Sequence, residues 1–228
     1  MCIFPFKHFR AKNILMSTET PDKVAISKRL SKILRHTAHK YPSLSMDNAG
    51  FVPLKSLLDL REFRKLSIDV NFVEAMMESD PKTRFTLVRR DGVLYIRANQ
   101  GHSHAVSERI SSEDIYTQIG TETEIPVAIH GTTMNAWERI RTTGLNRMRR
   151  SHIHFAPGIV GVDPEVRSGM RQSAPVHIYL DVAKCFAKGI KFYRSANNVI
   201  LSEGIDGVIP PDCFLKVLDT QTNTVLYP

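Results

Sequence analysis

Three clusters of arginine and histidine stand where apolar or neutral residues are the ordinary choice: Arg35 with His36, Arg84 ahead of Phe85, and Arg147, Arg149 and Arg150 ahead of His152. A guanidinium forks onto phosphate oxygens through paired N–H donors. Several converging on one phosphate would bind it and stabilise charge developing on it. A fourth stretch, Arg97, Ala98, Asn99, Gln100, Gly101, His102, Ser103, His104, packs a cation, amides, imidazoles and a hydroxyl onto one turn. Such a set suits a ligand, and it equally suits a polar connector whose side chains cap backbone groups. His130, Gly131 and Thr132 offer an imidazole, a backbone open to close approach and a hydroxyl. That trio fits a ribose or a nicotinamide amide, or else the ordinary needs of a strand end. His152 and His154, two apart on an expected strand, point to one face.

Other chemistries lack their residues. No Asp, Glu or Cys accompanies the three histidines at ligand-like spacing and the neighbourhood is cationic, so no metal is expected. The sequence carries no nucleophile elbow, no Gly-rich phosphate loop and no dinucleotide fingerprint. A net charge of +8 favours a polyanionic partner, because Lys and Arg neutralising phosphates supply most of the affinity for nucleic acid. Cys2, Cys185 and Cys213 are scattered and odd in number, which argues against a disulfide framework and for a reducing compartment, nucleus or cytoplasm. No run approaches the length of a membrane span, so no membrane partner is expected, and the chain reads as a monomer. Residues 1–19 place Lys7, His8, Arg10 and Lys12 among phenylalanines with no acid before Glu19. They read as a disordered leader, an organelle-targeting segment being the other reading.

The elements that must carry these residues fall into two patterns. A first helix starts near Thr20, Pro21 and Asp22, with Ile26, Leu30, Ile33 and Leu34 on one face and a basic stripe of Lys28, Lys32 and Arg35 on the other. Lys28 and Lys32 are the expected RNA contacts. Pro53 opens a second helix through Leu54, Leu57 and Leu58, and Ser67 caps a third containing Val70, Val73, Met76 and Met77. Phe85–Val88 and Val93–Ile96 flank Arg90, Asp91, Gly92, a hairpin signal. Three helices and a hairpin make a winged-helix-like lobe over 20–104. Residues 105–124 read as a polar connector. From 125 to 228 the expected elements are short strands at 126–129, 152–155 after a basic turn, 176–180, 192–193, 199–201 and 214–218, with a helix capped by Asn135 and ended by Gly144 and another capped by Asp181. The class is α+β, its second lobe mixed and mostly antiparallel.

Taken in order, Leu34–His36, Asp47–Phe51, Lys82–Phe85, Arg97–Ser103, His130–Thr132, Arg150–His154, Gly169–Arg171 and Arg194–Asn197 resemble the successive motifs of the tRNA 2′-phosphotransferase family, over about residues 23 to 218. The resemblance implies a winged-helix lobe for RNA and a lobe of the ADP-ribosyltransferase fold for NAD. It implies a tRNA substrate with a splice-junction 2′-phosphate, which attacks the nicotinamide riboside carbon. The ribose 2″-hydroxyl then attacks phosphorus, giving 2′-hydroxyl RNA and ADP-ribose 1″,2″-cyclic phosphate. The family's Arg-His-Arg-Arg tetrad falls on Arg35, His36, Arg84 and Arg150. Its NAD positions fall on His130, Gly131, Thr132 and His154, with Arg171, Ser195 and Asn197 beside them. Arg97, Asn99, Gln100, His102, Ser103 and His152 are then expected around the substrate phosphate and between the lobes.

Two residues depart from the family pattern: Asn198 where Gly usually follows the Ser-x-Asn motif, and Ile129 where an aromatic often precedes His-Gly-Thr. Asn tolerates the left-handed conformation better than most residues. Two other functions stay open at this level: ADP-ribosylation of terminal RNA or DNA phosphates without the second step, and RNA binding without catalysis. Retention of all four tetrad residues speaks against the latter.

Overall fold

The computed structural model describes residues 22–66 and 68–228. The expected leader and the positions Thr20, Pro21 and Ser67, assigned to helix starts, lie outside the described residues.

Helix α1 (Lys23–Lys32) starts where Asp22 accepts from the amides of Val24 and Ala25 at 2.8 and 3.2 Å. Its apolar stripe is buried as the spacing requires, with Ile26, Leu30, Ile33 and Leu34 all in the core. The regular helix then gives way to a π-helical turn over Ile33–Thr37. A widened turn rotates everything after it. Lys28 and Lys32 keep the solvent face, while Arg35 is partly covered and its Nε and Nη2 are buried, so the basic stripe is not continuous as expected.

The rest of the N-terminal half closes over this helix. Pro53 caps α2 (Leu54–Leu58) instead of opening it, because Val52–Pro53 form a short strand, β1. A one-turn helix, α3 (Arg61–Arg64), follows. Asp69 caps α4 (Val70–Glu78), accepting from the Phe72 amide at 2.8 Å. Strands β2 (Phe85–Arg90) and β3 (Val93–Ala98) form the expected hairpin, with Arg90 opposite Val93. Asp91 and Gly92 both take positive φ, 48° and 78°, as a two-residue hairpin turn requires. β1 pairs with β3, making a three-stranded antiparallel sheet where two strands were expected. Leu30, Leu34, Leu57, Phe63, Val73 and Ile96 share its core.

Across the expected connector lie α5 (His104–Ser107), which starts one residue before it, α6 (Ser112–Ile115) and β4 (Thr117–Ile119). The C-terminal half adds β5 (Ile129–Thr132), α7 (Met134–Thr143), β6 (Leu145–Asn146), β7 (Ile153–Phe155), β8 (Val176–Leu180), α8 (Val182–Ala187), β9 (Phe192–Arg194), β10 (Ile200–Ser202), β11 (Val208–Ile209), β12 (Phe214–Asp219) and β13 (Thr224–Tyr227). Asp181 caps α8 as expected. Thr133 caps α7 in place of Asn135, its hydroxyl accepting from the Ala136 amide at 3.3 Å. β5 begins later than expected, because pairing with β8 runs from Ile129 to Thr132, so His130 and Gly131 lie within the strand. His152 precedes β7.

These strands form two four-stranded antiparallel sheets, ordered β13-β12-β8-β5 and β4-β9-β10-β7, and a small β11-β6 pair. The observed class is therefore α+β with several antiparallel sheets. A reciprocal bridge between Ile129 and Ala156, at 2.9 and 2.8 Å, ties β5 to the end of β7 and so joins the two sheets. Between them sit Phe155, Phe192, Ile178, Ile200 and Trp137, the last against Phe214 and Tyr227. On the other face of the second sheet, Tyr193, Leu201 and His154 line up across three strands. That face meets Ile115, Tyr116 and the 97–104 turn. Cys185 and Cys213 are free and buried.

Candidate functional site

Arg35 is held at the joint between the halves by its own backbone. Its carbonyl accepts from the Ser103 amide at 2.8 Å and the Ser103 hydroxyl at 3.2 Å. Its side chain lies along Gly101, whose φ of 87° favours glycine and where a Cβ would touch Arg35 Cδ at 3.5 Å. Among the described residues, Arg35 Nε and Nη2 have no partner although both are buried. Burial first, then Arg150 and Arg84, push its pKa down to about 10. It stays cationic at neutral pH, and a buried cation with free donors is costly until an anion meets it.

The other two arginines reach this place from separate elements. Arg84 follows Thr83, a β-branched residue at φ 43°, a conformation that persists only when its surroundings enforce it. Asp80 supplies part of that enforcement, accepting from the Arg84 amide at 2.7 Å and pairing with its guanidinium. Asn99 supplies the rest: its amide side chain donates to the Thr83 carbonyl at 2.8 Å and its backbone N–H to the Arg84 carbonyl at 2.9 Å. Asn99 therefore shapes the loop that presents Arg84. Arg150 bridges to Ser103 through the backbone and donates from Nη1 toward His154 Nδ1 at 3.4 Å. Partial burial, then Arg171, lowers its pKa. Desolvation, then Arg35 and Arg150, lowers His36, which makes it a neutral imidazole able to accept a proton at neutral pH.

Behind the arginines lie buried imidazoles. His130 donates from Nδ1 to the His154 carbonyl at 3.0 Å, across β5 and β7. Because Arg150 can only donate, His154 Nδ1 is the acceptor and Nε2 carries the proton, buried and unpartnered among the described residues. Burial holds both rings neutral. At Gly131 a Cβ would come within 2.8 Å of Ala174 Cβ, so only glycine lets the 170–174 segment lie this close to β5. Thr132 ends the strand, half-buried. The Ser195 hydroxyl donates to Asn197 Oδ1 at 2.8 Å, and Asn197 donates onward to the Lys82 carbonyl at 3.0 Å. Asn198 takes φ 60° and accepts from Arg194 at 2.6 Å, so the loop keeps a left-handed residue where glycine was expected. Ile129 is fully buried.

Tyr116 was not singled out in the sequence, yet it organises the middle of the joint. Its hydroxyl is 3.1 Å from His102 Nδ1, and its ring stands edge-on to His152 at 5.3 Å, which in turn meets Tyr193 at 5.7 Å. Burial, with smaller contributions from nearby Arg and His charges, drives His102 down to about 3 and His152 to about 4. A lone aromatic in the polar stretch 105–124 was the available signal.

Some expected site residues are engaged elsewhere. Arg97 stacks 4.7 Å from the centre of the Phe51 ring and donates to the carbonyls of Ala49 and Asp114. Gln100, three residues on, is buried. Arg171 is exposed and reaches the cluster through its charge on Arg150. Lys28 and Lys32 stand on the outer face of α1. Among the described residues no group of three or more His, Cys, Asp or Glu is placed to hold a metal ion, and no helix is long and apolar enough to cross a membrane.

Residues 21–204 match the family model of RNA 2′-phosphotransferase, Tpt1/KptA family. The tRNA 2′-phosphotransferase 1 of Danio rerio is 42% identical over 85% of this chain and 84% of its own length. The human tRNA 2′-phosphotransferase 1 is 40% identical over 87% of this chain and 76% of its own. A Schizosaccharomyces pombe relative is 40% identical over 97% of this chain, which spans only 56% of that protein. With the family model covering most of its length and relatives this similar along theirs, the chain belongs to the RNA 2′-phosphotransferase family.

Proposed function

We propose that the protein removes the internal 2′-phosphate from the splice junction of ligated tRNA, using NAD as co-substrate and yielding 2′-hydroxyl RNA, nicotinamide and ADP-ribose 1″,2″-cyclic phosphate. One observation carries the reading: Arg35, two of whose donors are buried without a partner among the described residues, shares a site with Arg84, Arg150 and a neutral His36, and Asp80 is the carboxylate paired there. That excess of positive charge is suited to a phosphate dianion. The relatives' names point the same way. In this reading the N-terminal half is a winged-helix lobe that meets RNA and the C-terminal half an ADP-ribosyltransferase-like lobe.

The residues behind the arginines fit a nucleotide. His154 keeps an unpartnered buried N–H, and His130, Thr132, Ser195 and Asn197 add neutral polar groups with no carboxylate among them. They would hold NAD, which when bound supplies the electrophilic ribosyl carbon and the 2″-hydroxyl. The protein's own work is then electrostatic. Arg35, Arg84 and Arg150 orient the RNA phosphate and stabilise negative charge spread over its equatorial oxygens. His36 handles the proton of the attacking hydroxyl, because it is neutral and lies beside Arg35.

The test is a short RNA with one internal 2′-phosphate, incubated with and without NAD and followed by intact mass. Loss of the phosphate only when NAD is present, and undiminished by a chelator, is the expected result. Release without NAD would overturn the reading.

A further inference from the structure

A groove of 440 Å³ lies on the N-terminal half between α1 and α4. It runs the length of α1, from Lys23, whose Nζ donates to Ser79 at 3.3 Å, to His36. Met76 and Met77 line it from α4, Lys28 and Lys32 from α1, and His36 and Arg84, two members of the arginine-histidine cluster, are among its walls. Asp80 is the one carboxylate among the described residues of the lining, and it is paired with Arg84.

Geometry and charge together select an occupant. A phosphate held by His36 and Arg84 is part of a polynucleotide, and the strand must leave that point in some direction. The groove opens from the same two residues. Lys28 and Lys32 are one helical turn apart, on one face, with Cβ atoms about 5–6 Å from each other. They offer successive cations to a backbone. Methionine is soft and polarisable and suits the face of any base. The volume falls in the range of small-ligand sites, enough for a nucleotide and far too little for a duplex.

We infer that the groove seats the nucleotide adjoining the phosphate-bearing one, its base unstacked from the RNA and laid on Met77, with Met76 buried behind it, and its backbone against Lys28 and Lys32. The inference rests on the reading of the cluster as the 2′-phosphate site. It makes the substrate locally single-stranded at the junction and indifferent to base identity there.

The test uses trinucleotides with the 2′-phosphate on the central residue, either intact or with one flanking base replaced by an abasic ribose. On the side facing the groove, loss of the base lowers kcat/KM about tenfold, the scale of one stacked base, and on the other side it does not. The double variant Ser27→Leu, Ser31→Leu, which fills the groove without changing charge, should erase that difference. Should neither abasic substrate be impaired, or should the variant keep the full dependence on the base, the proposal fails. Photocrosslinking from 5-iodouridine at the sensitive position, done on the wild-type protein, does not depend on how the variant folds. Crosslinks to α1 or α4 support the proposal. Crosslinks found only elsewhere would leave the groove to a protein partner or a second copy and overturn it. If the intact trinucleotide is not turned over with NAD, the underlying phosphate-site reading falls, and this proposal with it.

Discussion

Asn197, on the loop between β9 and β10, donates its side-chain amide to the carbonyl of Lys82 at 3.0 Å, two residues before Arg84. The bond crosses from the C-terminal half to the strained loop that aims one of the three site arginines. Ser195 fixes the amide by donating to its Oδ1 at 2.8 Å. Asn197→Ala should therefore cost about 1 kcal/mol of stability, from leaving a half-buried carbonyl without its side-chain donor. It should also lower kcat/KM by more than tenfold, because Arg84 loses its register with Arg35 and Arg150. Chemical unfolding and steady-state kinetics on the same preparation separate the two effects. A stability loss with kinetics unchanged would mean that the bond serves cohesion alone.

In the proposed reaction the arginines should divide their work unequally between the two chemical steps. In the first the phosphate is the nucleophile, and cations gripping it damp its reactivity as they position it. In the second, negative charge is redistributed over the phosphorus oxygens, where preorganised guanidinium groups matter most. Removing one such donor costs about 3–4 kcal/mol, a factor of hundreds in rate. Arg35→Ala, Arg84→Ala or Arg150→Ala should thus slow the second step more than the first, and RNA bearing ADP-ribose on its 2′-phosphate should accumulate. Single-turnover reactions resolved by gel mobility decide this. Equal slowing of NAD cleavage in every variant, with no such RNA, would assign the arginines to phosphate capture.

The residues that carry the site were readable because chemistry is local. An Arg-His pair on a helix, an Arg before a strand and an Arg four residues ahead of a histidine announce cations in odd places. What the sequence could not give was their convergence, which depends on the π-helical turn after α1 and on the Asp80, Asn99 and Asn197 hydrogen bonds that hold the 82–84 loop. Neither has a periodic signature. The long elements, α1, α4, the 85–98 hairpin and β8, followed from their apolar spacing. β1, β6 and β11 were missed, since a two-residue strand has no period. Asn99 and Arg97 look like ligand groups by type alone, but Asn99 bonds the Thr83 carbonyl and the Thr86 hydroxyl, and Arg97 bonds backbone carbonyls and stacks on Phe51.

Tyr116→Phe removes a single hydroxyl while keeping the ring against His152. Without it, His102, which sits beside Arg35 with its Nε2 buried and unpartnered, has nothing to fix its orientation among the described residues. The variant should lose about 1 kcal/mol of stability and about tenfold in kcat, with KM for RNA nearly unchanged. Wild-type kcat in the variant would show that the orientation of His102 is irrelevant to turnover.

Acid should loosen the joint before it touches most of the fold. His102 and His152 have folded pKa values of about 3 and about 4 against an ordinary 6.5, so below pH 6.5 the unfolded chain binds more protons than the folded one. Stability is then fully present above pH 6.5 and is lost as pH falls toward those folded values. Each histidine contributes a slope of about 1.4 kcal/mol per pH unit, or about 2 kcal/mol at pH 5. Urea unfolding at pH 7.5 and pH 5 measures it, and His152→Gln should flatten the dependence. A stability unchanged between these two pH values would mean that both rings are solvated in the folded protein.

In the proposed reaction phosphorus moves from RNA to a nucleotide derived from NAD, and a radiolabel placed in the RNA 2′-phosphate follows it. The label should leave the RNA completely and appear in ADP-ribose 1″,2″-cyclic phosphate, with the RNA ending in a free 2′-hydroxyl. Label recovered as inorganic phosphate would make the protein a hydrolase, and label retained on RNA that has gained ADP-ribose would make it an ADP-ribosyltransferase that stops after one step; either result contradicts the account.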